Sequence, residues 1–217
     1  LEKVEKRYLI FNLMAASYTG LKKFEKAFEN YLKAIEIKPD FYEGYNNLGH
    51  LCNETGNYEK AIVFFKKSIA LKENDYQTHN NIANTYLKLN EIENATFHYN
   101  RSLQINPDFA EAYNNLGNIE KKSGNFKNAI NFFLKSISKN QNLVDPYNNL
   151  GVVYNYLREN VLAKKYLMKA IELFPQFADS YGNLGNIFSK EGDFEKAIHY
   201  YKKALSINPL FFHAYNN

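Results

Sequence analysis

The chain has 217 residues, of which 45% are hydrophobic and 16% aromatic, and its 27 basic and 23 acidic side chains give a formal net charge of +4. So small and evenly mixed a charge argues against a nucleic-acid partner or an anionic membrane surface. No stretch approaches the roughly eighteen consecutive apolar residues of a membrane span, no signal peptide is visible, and the single cysteine, Cys52, excludes an internal disulfide. We therefore expect a cytoplasmic protein with no membrane contact.

A short motif recurs every 34 residues: Leu48-Gly49 is followed by Ile82-Ala83, Leu116-Gly117, Leu150-Gly151 and Leu184-Gly185. A fixed period in the range of about 20–50 residues is typical of a solenoid, in which each unit buries its apolar face against its neighbours. The period predicts one domain over residues 1–217, with full repeats at 8–41, 42–75, 76–109, 110–143, 144–177 and 178–211 and a partial repeat at 212–217. Below, the residues of each repeat are numbered as places 1 to 34.

The first repeat departs most from the pattern, because Met14-Ala15 replaces Leu-Gly. Leu1, Val4, Tyr8 and Phe11 keep helical spacing, which predicts a first helix from near Glu2 to about Tyr18. The alternative is that residues 1–7 are the end of a preceding helix.

The fourth repeat shows the pattern most clearly. Tyr113, Leu116 and Gly117 lie at i, i+3 and i+4, and after Gly124-Asn125 the same spacing links Phe126, Ala129, Ile130, Phe133, Ser136 and Ile137. Each repeat is therefore predicted to be a helix, a tight turn and a second helix. A Gly inside a helix costs about 1 kcal/mol relative to Ala, so we expect a close helix contact at Gly117.

The turns between the two helices differ in sequence. Gly56, Gly124 and Gly192 are suited to the left-handed conformation that ends a helix, and Asn90 adopts it at modest cost. Lys22 and Arg158 resist it, so we expect those two turns to differ. Proline at place 32 stops the second helix, and we expect looser junctions where Glu73 and Gln141 replace it.

The chain resembles a tetratricopeptide repeat (TPR) array from Tyr8 to Asn217. The family pattern has an aromatic at place 4, Leu-Gly at places 7 and 8, an aromatic at 11, Ala at 20, an aromatic at 24, Ala at 27 and Pro at 32. Matching residues include Tyr45, Tyr113, Tyr147 and Tyr181 at place 4, Ala61 and Ala129 at place 20, Tyr99 and Phe133 at place 24, and Pro39, Pro107, Pro175 and Pro209 at place 32. The resemblance implies an all-α fold, a right-handed superhelical α-solenoid of helix-turn-helix repeats that binds partners in a concave groove. At place 11, where other repeats carry Tyr86, Tyr154 or Phe188, Cys52 is expected to be a small buried hydrophobe.

Asparagine fills the places that the resemblance assigns to this groove. The candidate peptide-binding residues lie at places 5, 6, 9 and 13 of the first helices: Asn46, Asn47, His50, Asn80, Asn81, Asn84, Lys88, Asn114, Asn115, Asn118, Lys122, Asn148, Asn149, Asn183 and Asn186. A carboxamide both donates and accepts hydrogen bonds, so it holds a peptide bond without reading the side chain. The arrangement is similar to the asparagine ladder of the TPR superhelix of O-linked N-acetylglucosamine transferases, which implies an extended peptide as ligand.

Acidic residues at place 2, including Glu43 and Glu111, argue against the TPR clamp that grips chaperone carboxyl termini, because that clamp resembles a Lys and Arg cluster. No P-loop, G-x-S-x-G, H-E-x-x-H or C-x-x-C motif occurs, and the five histidines fall at different places of the repeat. The sequence therefore predicts no catalysis, metal or cofactor in this chain. The leading hypothesis is a non-catalytic interaction scaffold. The alternatives are the substrate-recruiting arm of a larger enzyme, such as a glycosyltransferase or sulfotransferase, and end-to-end self-association through uncapped terminal repeats.

Overall fold

The computed structural model describes residues 6–210, which contain twelve α-helices and no strand. The helices are α1 Arg7–Gly20, α2 Phe24–Ile37, α3 Tyr42–Glu54, α4 Tyr58–Leu71, α5 Tyr76–Lys88, α6 Ile92–Ile105, α7 Ala110–Lys122, α8 Phe126–Lys139, α9 Val144–Tyr156, α10 Asn160–Leu173, α11 Ala178–Lys190 and α12 Phe194–Ile207. The proposed start of the first helix near Glu2 and the partial repeat at 212–217 lie outside the described residues. α1 begins at Arg7 and continues two residues past Tyr18.

The chain forms two compact units, the first ending at Pro107 and the second beginning at Asp108. In the first unit α1 packs on α2, α3 on α4 and α5 on α6, and α2 and α4 also pack on the helix that follows each of them. The second unit repeats this arrangement with α7 to α12. Each unit is therefore an all-α solenoid of helical repeats, which confirms the predicted fold class.

The apolar core is divided among neighbouring repeats. In the first unit Ala15, Ala27, Tyr31, Leu48 and Leu51 form one buried cluster across α1 to α3. The second unit has one cluster across α8 and α9, and another across α10, α11 and α12. Burial is thus local to each pair of repeats, as expected when each repeat covers the apolar face of the next.

The turn inside each repeat has the same conformation in all six repeats. Lys22, Asn90 and Arg158 have φ values of 56°, 60° and 62°, close to those of the glycines at the other three turns. Arg158 is followed by a bond from the Glu159 N–H to the Tyr154 carbonyl at 2.9 Å, and the glycine turn at Gly124 has the same bond from Asn125 to Glu120. The expectation that the Lys22 and Arg158 turns differ is wrong, because the hydrogen bonding and packing of the repeat outweigh a local cost of roughly 1 kcal/mol.

The two junctions without proline are held by hydrogen bonds. The Glu73 carbonyl accepts from Nε2 of His79 at 3.2 Å, and the Gln141 carbonyl accepts from the Tyr147 hydroxyl at 3.1 Å. Arg101 also pairs with the Glu73 carboxylate at 3.1 Å. In both cases the side chain at place 4 of one repeat donates to place 32 of the repeat before it. These bonds tie the junctions that the sequence predicts to be looser.

Serine at place 27 joins the two helices of a repeat. Ser68, Ser102 and Ser136 are fully buried, and their hydroxyls donate to the carbonyl of the first residue of the same repeat at 3.0, 2.9 and 2.8 Å. The bond satisfies the buried hydroxyl and ties the second helix of the repeat to the first turn of its first helix.

Within residues 6–210, no helix has the length and apolar content needed to cross a bilayer.

Candidate functional site

The candidate asparagines lie in two rows along the first helices of the repeats. We call Asn12, Asn46, Asn80, Asn114 and Asn148 the fifth-place row, and Asn47, Asn81, Asn115, Asn149 and Asn183 the sixth-place row. Asn80, Asn114 and Asn149 are buried, the other members are half-buried, and His50, Lys88 and Lys122 are exposed. Both rows therefore lie at the boundary between the packed helices and solvent.

The two rows are hydrogen-bonded to each other within each unit. The amide N–H of a sixth-place asparagine donates to the Oδ1 of the fifth-place asparagine one repeat earlier. In the first unit Asn47 donates to Asn12 at 2.9 Å and Asn81 to Asn46 at 3.3 Å; in the second, Asn149 donates to Asn114 at 3.1 Å and Asn183 to Asn148 at 3.0 Å. The carboxamides thus link consecutive first helices.

One fifth-place oxygen has a second donor. Ser180 donates its hydroxyl to the Oδ1 of Asn148 at 3.1 Å, so both lone pairs of that oxygen are used. The Thr78 hydroxyl lies 3.2 Å from the Oδ1 of Asn46, but it donates its single proton to the Asp75 carboxylate. At Asn148 the fifth-place side chain therefore serves the packing of repeats, whereas Asn47 and Asn183 in the sixth-place row each keep an amide N–H and an Oδ1 with no partner among the described residues.

A lysine that the sequence analysis does not single out joins the rows in the second unit. Lys121 donates from Nζ to the Oδ1 of Asn149 at 2.6 Å, and its ammonium lies 5.9 Å from the centre of the Phe133 ring. Burial, with a smaller contribution from Lys122, lowers the pKa of Lys121. The helical spacing of Asn114, place 9 and Lys121 at i, i+4 and i+7 is the signal that points to this residue.

Ninth-place residues contact place 24 of their own repeat. Asn84 accepts a hydrogen bond from the Tyr99 hydroxyl, and Asn186 accepts from that of Tyr201 at 2.8 Å. Burial raises the pKa of Tyr99, so its hydroxyl remains a donor at neutral pH. The two asparagines therefore accept the hydroxyl protons of the buried Tyr99 and the half-buried Tyr201.

His50, at the same place of the second repeat, faces Phe65. The two rings meet edge to face with their centres 5.6 Å apart. Nε2 of His50 also lies 2.8 Å from Nδ2 of Asn81. The ninth place of this repeat thus extends the sixth-place row toward solvent.

The structure also pairs two histidines that look isolated in the sequence. Nδ1 of His79 lies 2.9 Å from Nδ1 of His98, and the ring of His98 stacks on Tyr86 with the ring centres 5.7 Å apart. Because Nε2 of His79 donates to the Glu73 carbonyl, its Nδ1 is the acceptor and His98 is the donor. Burial lowers the pKa of His79, and burial together with His79 and Lys66 lowers that of His98 to about 4. Both rings are therefore neutral at pH 7.

Charged side chains border the rows. Glu43, Glu111, Asp145 and Asp179 at place 2 are exposed on the first turn of their helices, where the helix dipole favours acids. Among the described residues, no group of three or more His, Cys, Asp and Glu side chains has the arrangement of a metal site. The polar chemistry of this surface is that of carboxamides edged by acids and by lysines.

Comparison with protein families identifies the repeat. Two models described as tetratricopeptide repeat match residues 42–75 and 178–211 and residues 110–142 and 144–177. A third, described as TPR repeat, matches residues 17–52 and 83–124. Together the three models cover most of the chain between residues 17 and 211. No curated protein sequence matches the chain.

Solved structures give the same fold. The crystal structure of MamA is 26% identical, with 75% of this chain and 95% of that chain covered and a TM-score of 0.63. The pilF protein of Pseudomonas aeruginosa is 19% identical over 96% of this chain and 93% of its own, with a TM-score of 0.81. YrrB, described as a TPR protein with an unusual peptide-binding site, is 22% identical over 85% and 96% of the two chains, with a TM-score of 0.60. From these matches and the helix-turn-helix geometry, the chain belongs to the tetratricopeptide repeat family.

Proposed function

We propose that this protein-interaction scaffold binds extended segments of partner proteins along the part of the sixth-place row that lies in each unit. The observation that carries the proposal is the half-used carboxamide: Asn47 and Asn183 each donate one amide N–H to a neighbouring repeat and keep an N–H and an Oδ1. A donor and an acceptor on one planar group match the N–H and C=O of a peptide.

The repeat spacing fits an extended ligand. Packed helices lie roughly 8–10 Å apart, and an extended chain rises about 3.3 Å per residue. One asparagine per repeat therefore meets about every third residue of the ligand. The hydrogen bonds between the rows also fix the carboxamides before a ligand arrives, which reduces the entropy lost on binding. The peptide-binding site described for YrrB, which has the same fold, is consistent with this use of the repeat.

The proposal makes the ligand main chain the recognised group, and this can be tested directly. We would select binders from a random 12-residue peptide library and then replace single peptide N–H groups of the best binder by N-methyl groups. The expected result is a loss of at least tenfold in affinity at N-methyl positions three residues apart, with much smaller effects from alanine at the same positions. Tight binding that depends on side chains alone would contradict the proposal.

Protein variants provide the matching test. Asn183→Ala and Asn47→Ala each remove a carboxamide that keeps an N–H and an Oδ1 for a ligand. Each variant should bind the selected peptide more weakly by roughly 1 kcal/mol, or about fivefold in affinity. Asn131→Ala is the control, because Asn131 is an exposed asparagine on the second helix α8 and belongs to neither row. Equal affinity for all three variants and the wild type, with circular dichroism unchanged, would remove the rows as the binding surface.

Self-association is a second candidate function, supported by the apolar surface of α1 and of Leu21, the residue that follows it. Ile10, Leu13 and Leu21 are 57%, 65% and 64% exposed. Sedimentation velocity across a hundredfold dilution would show a concentration-dependent oligomer, and Leu13→Glu should shift it to monomer. A monomer at every concentration would exclude this candidate.

A further inference from the structure

An apolar pocket of about 420 Å³ lies in the first unit between α2, α3 and the start of α4. Its apolar lining residues are Phe24, Phe28, Leu51 and Cys52. The volume is in the lower part of the roughly 300–1,000 Å³ range of small-ligand sites. None of its lining residues belongs to the asparagine rows.

The second unit shows what normally occupies this position. The fifth repeat has Tyr154 at place 11, where the second repeat has Cys52. Tyr154 packs against the same buried cluster as Phe126 and Ile130, a cluster that includes Val153. These are places 17, 21 and 10, the same places as Phe24, Phe28 and Leu51 around the pocket.

In other repeats the aromatic ring at place 11 stacks on the ring at place 23 of the same repeat, and the second repeat lacks this stacked pair. Tyr154 stacks on Tyr166 at place 23 with their centres 5.5 Å apart and the planes 5° from parallel, and Phe188 stacks on Tyr200 in the same way at 5.3 Å and 2°. In the second repeat, Phe64 at place 23 instead contacts Phe28 edge to face, with the ring centres 6.1 Å apart and the planes at 68°. Tyr86 at place 11 of the third repeat stacks on His98 at place 23 in the same way. Replacement of an aromatic by Cys52 therefore removes one ring from a stack that three other repeats complete.

The pocket walls offer little polar chemistry, so its specificity comes from shape and from the charges near its mouth. The Thr55 hydroxyl donates to the carbonyls of Leu51 and Cys52, and the Asn57 side chain caps α4 by accepting from the Lys60 N–H. Glu25, Glu29 and Lys60 also line the pocket and are exposed, which leaves one more carboxylate than ammonium groups. A ring is further favoured by the sulfur of Cys52, because thioether and thiol sulfurs make favourable contacts with aromatic rings.

We propose that this pocket binds an aromatic side chain, Phe, Tyr or Trp, of a partner polypeptide in which a neighbouring residue is Lys or Arg. The partner ring takes the position that Tyr154 occupies in the second unit, and the basic residue lies near Glu25 and Glu29. This inference is independent of peptide binding by the asparagine rows, since the two sites share no residue.

The test uses N-acetyl-Phe-Lys amide as the probe and the amide NMR signals of Phe24, Phe28, Leu51 and Cys52 in the whole chain as the readout. So small a ligand should bind with a dissociation constant on the order of 1 mM. The matched probe N-acetyl-Leu-Lys amide should bind at least fivefold more weakly, and N-acetyl-Phe-Glu amide should also bind more weakly. Equal binding of the Phe-Lys and Leu-Lys probes, or no shift at 10 mM, would overturn the proposal.

A variant that completes the repeat provides the second arm. Cys52→Tyr places a ring at place 11, as Tyr154 does in the fifth repeat, and should fill the pocket. Its affinity for the Phe-Lys probe should be at least tenfold lower than that of the wild type. Cys52→Ala keeps the pocket open and should bind within twofold of the wild type. If Cys52→Tyr does not fold, Cys52→Leu replaces it with the same expectation. If Cys52→Tyr or Cys52→Leu folds and still binds the Phe-Lys probe as tightly as the wild type does, the proposal is overturned. Asn183→Ala, which tests peptide binding by the asparagine rows, should bind the Phe-Lys probe as the wild type does.

Discussion

Asn149 donates its amide N–H to the Oδ1 of Asn114, 35 residues earlier in the chain, at 3.1 Å, and both side chains are less than 10% exposed. Lys121 completes the group by donating to the Oδ1 of Asn149. The bond connects the first helices of two consecutive repeats. Asn114 and Asn149, two of the candidate peptide-binding residues, therefore also contribute to the packing between repeats.

This pair should show energetic coupling. Asn114→Ala leaves a buried N–H of Asn149 unpaired, and we expect a loss of about 1–2 kcal/mol in the free energy of unfolding. Asn149→Ala should cost a similar amount because Lys121 also loses its acceptor. The double variant should cost less than the sum of the two by roughly 1 kcal/mol. Urea denaturation of the four proteins measures this coupling, and strictly additive losses would show that the bond contributes nothing.

Gly117 should accept Ala but not Leu. A Cβ at Gly117 would lie 2.5 Å from Cε1 of Phe133, so even Ala must shift this buried ring, and we expect the bulkier Gly117→Leu to cost about 2–3 kcal/mol. Two other repeats have Ala15 and Ala83 at this place together with an aromatic, Tyr31 or Tyr99, at place 24, so the repeat accommodates a Cβ there when the ring is shifted. Gly117→Ala should therefore stay within about 1 kcal/mol of the wild type, helped by the helix propensity of Ala. Thermal melts compare the two, and equal melting temperatures for Leu and Gly would contradict the close contact.

The repeat period predicted the helices well because it records which places must pack. Helices α3, α5, α7, α9 and α11 each begin at the first residue of a predicted repeat. The same pattern placed the asparagines on one face of those helices. It did not predict that the asparagines hydrogen-bond to each other, because each partner lies one whole repeat away. A carboxamide can hydrogen-bond equally well to water, to a ligand or to a neighbouring side chain, so its residue type does not identify the partner.

Two other features depended on tertiary contacts that a single repeat does not contain. His79 and His98 are 19 residues apart and occupy unrelated places, so only the packing of α5 on α6 brings them together. Arg158 has an unfavourable residue type for its turn, yet the hydrogen bond behind it and the neighbouring helices impose the left-handed conformation. The expectation from residue type was wrong at that turn because tertiary contacts of the repeat determine the backbone conformation of Arg158.

The strained turns should be stabilised by glycine. Arg158 has a φ of 62°, a region that disfavours a side chain by roughly 1 kcal/mol. Arg158→Gly relieves this cost but adds freedom to the unfolded chain, so we expect a net gain of about 0.5 kcal/mol or slightly more. Lys22→Gly should behave alike, and Gly124→Arg should lose stability at a turn of the same geometry. Denaturant midpoints report these changes, and a loss of stability in Arg158→Gly would show that its side chain makes a compensating contact.

The buried histidine pair should make the first unit sensitive to acid. The folded pKa of His98 is lowered to about 4 from 6.5, first by burial and then by His79 and Lys66, and burial also lowers the pKa of His79. Between about pH 6.5 and pH 4 the unfolded chain therefore binds more protons than the folded chain, and stability falls as the pH falls through this window. At about 1.4 kcal/mol for each pKa unit, the change from 6.5 to about 4 in His98 alone corresponds to about 3.5 kcal/mol. Because His98 is only half-buried and solvent screens its charge, we expect a smaller loss, on the order of 2 kcal/mol.

A variant can separate this effect from the general acid response of the carboxylates. Tyr147 at place 4 donates to the place-32 carbonyl as His79 does, and Tyr166 occupies place 23 where the third repeat has His98. His79→Tyr with His98→Tyr should therefore keep the packing and remove the titration, which flattens the stability profile between pH 6.5 and 4. Replacement of the exposed His199 by Tyr is the matched control and should leave the profile unchanged. An identical slope in the paired variant and the wild type would assign the acid sensitivity to other groups.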